Sequence, residues 1–199
     1  MAVIINASTS TGLVQSADTS GIIQFQSNGS TKATLNSSGF SYPGAVLQVV
    51  STTKSDTFSV VGGGGGAFFD ITGLAVTITP ISSSNKILIF VNLSCSSSNA
   101  AEHINARVVR GSSTLVGSGD AIGSRNQAMW AHGINNTSNN AKVFAAQYLD
   151  SPSTTSSTTY KVQGYNNTST FYLNRTEAWP DTNHYSTGAS TITVMEIAA

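Results

Sequence analysis

The stretch Leu74–Thr79 reads LAVTIT and the stretch Ser190–Ile197 reads STITVMEI. In the first, Leu74, Val76 and Ile78 fall on one side of an extended chain and Ala75, Thr77 and Thr79 on the other. This is the period of two that a half-buried strand requires. In the second, Ile192, Val194 and Glu196 alternate with Thr191, Thr193, Met195 and Ile197, so apolar groups stand on both sides. That pattern predicts a strand packed on both faces. Between these stretches lie tracts such as SPSTTSSTTY (Ser151–Tyr160), whose hydroxyls favour turns and local backbone hydrogen bonds. The chain has only three Glu, which leaves little for ion pairs along helix surfaces. An all-β protein is predicted.

Working outward, further strand candidates are Ala45–Thr53, Ala67–Ile71, Lys86–Ser94, His103–Arg110, Ser113–Val116, Gln127–Gly133, Lys142–Leu149, Thr158–Tyr165 and Thr170–Arg175. Short strands at this spacing predict a sandwich or a barrel, and we take an antiparallel, jelly-roll-like β-sandwich over residues 43–199. The best helical window, Ala128–Ile134, is short and uncapped. Residues 1–42 differ from the rest. Their apolar pieces, Ala2–Ile5, Gly21–Phe25 and Ala33–Leu35, are too small to close a core. Asn28-Gly29, between GIIQFQ and TKATL, predicts a hairpin. An extended arm of short hairpins is expected there, completed by neighbouring chains.

Composition narrows the function. Nine Lys plus Arg are balanced by nine Asp plus Glu, so no basic surplus exists to displace counterions from nucleic acid or to hold a membrane surface. Charged residues make up 9% of the chain, far below the usual quarter. Solubility then rests on hydroxyls and amides, or much surface is covered in an oligomer. The one cysteine, Cys95, lies in the apolar run KILIFVNLSC and reads as a small buried strand residue. The start, MAVIINASTS, has neither the basic nor the apolar region of a secretion signal. Synthesis in a host cytoplasm followed by assembly into a virion is expected.

The phrases PGAVLQVVSTTKSDTFS, FFDITGLAVTITPISSSNKILIFVNL, RVVRGSSTLVGSGDAIGSR, YLDSPSTTSSTTYKVQ, YLNRT and STITVMEIA resemble a β-rich domain of tail-fibre and other virion proteins of tailed bacteriophages, cyanophages among them. GLVQSADTSGIIQFQSNGSTKATLNSSGF is similar to the short repeats that precede fibre modules. The resemblance implies a homotrimeric tail fibre that mediates host-surface attachment. Residues 1–42 would join another virion protein of the baseplate, tail or capsid, and residues 43–199 would form the distal head. Two alternatives stand beside it: a capsid decoration, cement or head-fibre protein with no receptor role, and a small polysaccharide hydrolase.

Catalysis is not expected. The glycines Gly62–Gly66 lack the Lys-Ser/Thr of a phosphate loop and run into the strand-like AFFDI. Glu102, Asp120 and Glu177 are the best of a thin set of carboxylates for glycoside hydrolysis. His103, His132 and His184 have no ligand spacing, so neither a metal nor any other cofactor is expected. Aromatic residues are the better contact groups, because sugars present apolar faces to rings and hydroxyls to amides. Tyr165, Asn167, Tyr172, Arg175, Trp179, His184 and Tyr185, with Asn166 and Phe171 among them, form a candidate glycan-binding set. The long segment Glu177–Gly188 would carry much of it.

Overall fold

The computed structural model describes residues 20–37, 39–62, 66–99, 103–133 and 141–199. The expectations for Ala2–Ile5, Glu102, Gly63–Gly65 and Ile134 lie outside the described residues. The chain divides into two units, Met1–Ala45 and Val46–Ala199.

In the first unit, β1 (Ile23–Ser27), β2 (Ser30–Asn36) and β3 (Gly39–Ser41) form an antiparallel sheet in that order. Asn28 and Gly29 join β1 to β2 with φ of 50° and 72°. Two successive positive φ values mark the tight turn whose twist matches a hairpin. Phe25 and Phe40 meet edge to face at 5.7 Å, and Tyr42 lies 6.1 Å from Phe40. All three rings remain about half exposed, because among the described residues of this unit no second layer covers them.

The second unit is an antiparallel, jelly-roll-like β-sandwich. Its six-stranded sheet contains β4 (Val46–Lys54), β5 (Phe58–Val60), β7 (Lys86–Ser97), β11 (Lys142–Asp150), β13 (Phe171–Leu173) and β14 (Ser190–Ile197). The strand β7 is central. It pairs β11 on one edge, while β14 and then β13 follow each other along the other. Beyond them, β4 pairs β14 and β5 pairs β13. The five-stranded sheet holds β6 (Phe69–Ile78), β8 (His103–Arg110), β9 (Thr114–Val116), β10 (Trp130–Gly133) and β12 (Thr158–Tyr165). Within the Ala128–Ile134 window, Trp130–Gly133 is the strand β10 and not a helix.

Alternation sends one side of each sheet inward. Ile87, Ile89, Val91, Leu93 and Cys95 of β7 and Ile192 and Val194 of β14 meet Leu74, Val76 and Ile78 of β6 and Ile104 and Val108 of β8. Burial pushes the Cys95 thiol well above its usual range and leaves it an inert core group. Residues 67–79, read above as two strands, contain the single strand β6. Opposite β12 its register jumps from Ala75 to Asp70 across Lys161–Gln163. The extra residues turn both Ile71 and Leu74 inward, although an odd spacing would put them on opposite faces. Gly73 sits in this bulge at φ 84°, where an added Cβ would meet the Lys54 side chain at 3.4 Å.

Two polar clusters tie the layers. Asp150 accepts hydrogen bonds from Arg110 Nη1 at 2.6 Å and from Tyr160 Oη at 2.7 Å, linking β11 to β8 and β12. Burial, and then the bond onto Asp150, raises the Tyr160 phenol above its ordinary range. A raised folded-state pKa means that the neutral phenol's stabilisation is complete below pH about 10 and is lost as pH rises further. Tyr160→Phe is therefore expected to lower stability by about 1–2 kcal/mol at pH 7. Its loss of stability above pH about 10 should be shallower than that of the native chain. Urea midpoints at several pH values check this, and parallel alkaline limbs would refute it.

The second cluster surrounds Glu196, which is fully buried on β14. Its carboxylate accepts from Ile81 N at 2.7 Å, from Asn85 Nδ2 at 2.6 Å and from Gln48 Nε2. The β6–β7 turn is thereby fastened to the end of β14.

Candidate functional site

The sequence-predicted glycan set does not form one site. The strand β12 leaves the five-stranded sheet at Tyr165, and the chain crosses to the six-stranded sheet before β13 begins. Asn166 makes that crossing rigid: it is fully buried, donates to Ser97 Oγ at 2.9 Å, and accepts from Ser169 N and Oγ. Phe171 then enters the core against Phe69, with ring centroids 5.3 Å apart. Tyr165 and Tyr172 consequently stand on different sheets.

Tyr172 belongs to a stack. The Arg175 guanidinium lies 4.2 Å from the Tyr172 ring centre and 5.5 Å from that of Trp179, so both rings already face a cation. Trp179 and Tyr185 also line a depression of ≈ 290 Å³ with Pro180, Asp181, Thr182 and Thr187. His184 is exposed on the same segment and outside that lining. The whole excursion is rooted at Asn174, whose φ of 62° turns the chain out of β13. The Asn174 carbonyl accepts from Gly188 N at 2.9 Å, closing the base of the loop.

The outer face of the six-stranded sheet is the larger feature, and the sequence reading missed it as a site. Register places Val49, Met195, Leu88 and Leu149 side by side across β4, β14, β7 and β11. The next row is Ser51, Thr193, Phe90 and Gln147, and the row after it is Thr53, Thr191, Asn92 and Ala145. At the other end, Val46 and Ile197 stand beside Lys86, whose ammonium donates to Ser151 Oγ at 2.9 Å. Val49 is 55% exposed and Leu149 51%. A groove of ≈ 400 Å³ runs along Phe90, Asn92, Ala145, Gln147 and Thr191. Strand spacing and rise make the face about 15 Å by 20 Å, a few hundred Å². The apolar row with Phe90 forms a contiguous exposed apolar strip on this face, the kind of surface that meets a partner. The available clue was the doubly apolar STITVMEI.

The described carboxylates on strands and their turns are engaged. Asp56 takes a 2.7 Å bond from Lys54, which holds its carboxyl below the usual range. Burial raises the Asp70 carboxyl, but bonds from Lys161 and Gln163 outweigh it and bring the group below its ordinary value. Of the hydrolase candidates, Asp120 lies between β9 and β10 and Glu177 beyond β13, on segments leaving different sheets. Among the described residues, no group of three His, Cys, Asp or Glu could hold a metal ion. No described helix is long and apolar enough to cross a membrane.

No protein-family model matches the chain, and no curated protein matches it. Among solved structures, it is similar to the VP2 subviral particle of infectious bursal disease virus, at 12% identity and a TM-score of 0.46. That match covers 88% of this chain and 37% of the other. A structure of the Gx strain of the same virus is 13% identical over 98% of this chain and 41% of the other, with a TM-score of 0.43. A family two carbohydrate esterase from Cellvibrio japonicus is 11% identical over 76% of this chain and 36% of the other, with a TM-score of 0.26. The chain spans about two fifths of the length of these proteins. These findings correct the expectation of a bacteriophage tail fibre mediating host attachment, because the virion proteins among them are those of infectious bursal disease virus.

Proposed function

We propose that this chain is a structural, non-enzymatic protein of a virus particle, held in or on the capsid, which assembles with copies of itself through the outer face of its six-stranded sheet. The row Val49–Met195–Leu88–Leu149 carries the proposal. Its rows are apolar or neutral polar, with hydroxyls and the amides of Gln147 and Asn92, and Lys86 at one end is their single charge. Such a face meets its own copy without like-charge repulsion, as a self-complementary contact requires. Burying it also removes exposed apolar area from water. The first unit, whose rings Phe25, Phe40 and Tyr42 stand about half exposed among the described residues, is the segment that attaches the subunit to another virion protein or joins a trimer.

Leu149→Glu places a charge at the β11 end of that row. The native chain is expected to sediment at a multiple of 20.6 kDa and the variant at 20.6 kDa. Because Leu149 is half exposed, the urea midpoint should move by no more than about 0.5 kcal/mol equivalent. Antibody labelling should decorate the shell of intact particles. A native chain that is monomeric throughout the micromolar range, or particles that remain unlabelled, would overturn the proposal.

A further inference from the structure

The outer face of the five-stranded sheet differs in chemistry. Asn105 on β8 lies between Tyr165 on β12 and Ala131 on β10, and His103 follows two residues away on the same face. The β9–β10 segment brings Arg125 and Asn126 over this row, and the turn after β12 brings Asn167. Together they line a cleft of ≈ 750 Å³, within the range of small-molecule sites.

Tyr165 is a braced platform. Its ring lies 5.3 Å from Phe68, and the Arg107 guanidinium covers Phe68 at 3.8 Å. Arg107 Nε in turn donates to Gln163 Oε1 at 2.8 Å, and Gln163 Nε2 donates to Asp70 Oδ1 at 2.6 Å. Asp70 also takes a 2.6 Å bond from Lys161. The polar groups behind the platform are thus paired, whereas the side chains of His103, Asn105, Arg125, Asn126 and Asn167 have no partner among the described residues. One wall is an aromatic face, another a set of amides that can each donate and accept, and Arg125 is the cation. No described carboxylate lines the cleft.

We infer that this cleft binds a pyranose carrying a carboxylate, of the uronic or sialic acid type. The apolar side of the sugar ring would lie on Tyr165, its hydroxyls against Asn105, Asn126 and Asn167, and its carboxylate on the Arg125 fork. A polyanion such as nucleic acid is not favoured by one guanidinium in a chain of zero net charge. The cleft and the apolar assembly face belong to different sheets, so each reading can fail without the other.

Saturation-transfer NMR and calorimetry on the full chain, with glucuronic acid, N-acetylneuraminic acid and glucose as probes, test the inference. At least one acid should bind, about tenfold more tightly than glucose. Arg125→Gln should reduce that acid to the glucose level, and Asn105→Ala should weaken it about fivefold. Tyr165→Ala should abolish binding of all three. Arg125 is exposed and Asn105 half-buried, and neither has a side-chain partner among the described residues. These two variants therefore decide the matter even if Tyr165→Ala unfolds the sandwich. Absence of binding by either acid at tens of millimolar would overturn the inference, as would equal binding of acid and glucose or unchanged affinity in the Arg125 and Asn105 variants.

Discussion

Asn174→Ala is expected to lower the unfolding free energy of the second unit by about 4 kcal/mol, the sum of two unpaired carbonyls and a strained backbone. Asn174 is fully buried at the point where β13 ends and the strand position beside β7 passes to β14. Its Nδ2 donates to the carbonyls of Lys54 at 2.8 Å and Asp56 at 2.9 Å, holding the bend between β4 and β5. Its Oδ1 accepts from Ser190 Oγ at 2.7 Å, and Ser190 Oγ in turn accepts from Ser94 N. Its own amide donates to Ser94 O at 2.8 Å. Side chain and backbone of this one residue therefore tie the end of β13 to β4, β7 and β14 where the sheet changes partners.

The variants separate the causes. Alanine loses the side-chain bonds and retains a φ of 62° that asparagine tolerates better. Asn174→Gly relieves the backbone and should recover about 1 kcal/mol of the loss. Asn174→Asp keeps the Ser190 bond but turns a carboxylate oxygen toward two carbonyls, so it should be at least as damaging as alanine. The melting temperature of the alanine variant should fall by about 10 °C. Hydrogen exchange should quicken at Ser94 and Gly188, the amides nearest the clamp. A fall of less than about 2 °C would show that the clamp is not needed for stability.

Glu196→Leu should cost about 3–5 kcal/mol even though leucine fills similar space. Three donors converge on the Glu196 carboxylate: a backbone amide of the β6–β7 turn, the Asn85 side chain and the Gln48 side chain. Leucine leaves all three without their acceptor. Glu196→Gln should cost only about 1–2 kcal/mol, since its remaining oxygen can serve Ile81 N and Asn85 Nδ2. Its new amide would then face Gln48 Nε2, and turning Gln48 to present oxygen would forfeit the bond that Gln48 donates to Thr79 O at 2.8 Å. Denaturant unfolding of the two variants checks the order. Equal losses would mean that volume, and not acceptor chemistry, sets the value of this position.

Much of this fold is written in local pattern. LAVTIT and KILIFVNLSC alternate in register with their burial, and Asn28-Gly29 makes the hairpin that its chemistry favours. The sequence by itself thus determined an all-β chain, its sandwich class and most strand positions, since side-chain alternation and turn stereochemistry act over a few residues. Phe58–Val60 escaped notice because a three-residue strand is defined by β13, more than a hundred residues away. The bulge in β6 was likewise invisible, because it exists only against β12. Tyr165 and Tyr172 look like one aromatic set along the chain, yet the crossing at Asn166 puts them on different sheets. Val49, Met195, Leu88 and Leu149 look like ordinary strand residues until pairing aligns them. Only the tertiary structure decided the apolar face, the cleft around Arg125 and the clamp at Asn174, because each depends on which strands become neighbours, and that is settled by packing over the whole sandwich and not by local pattern.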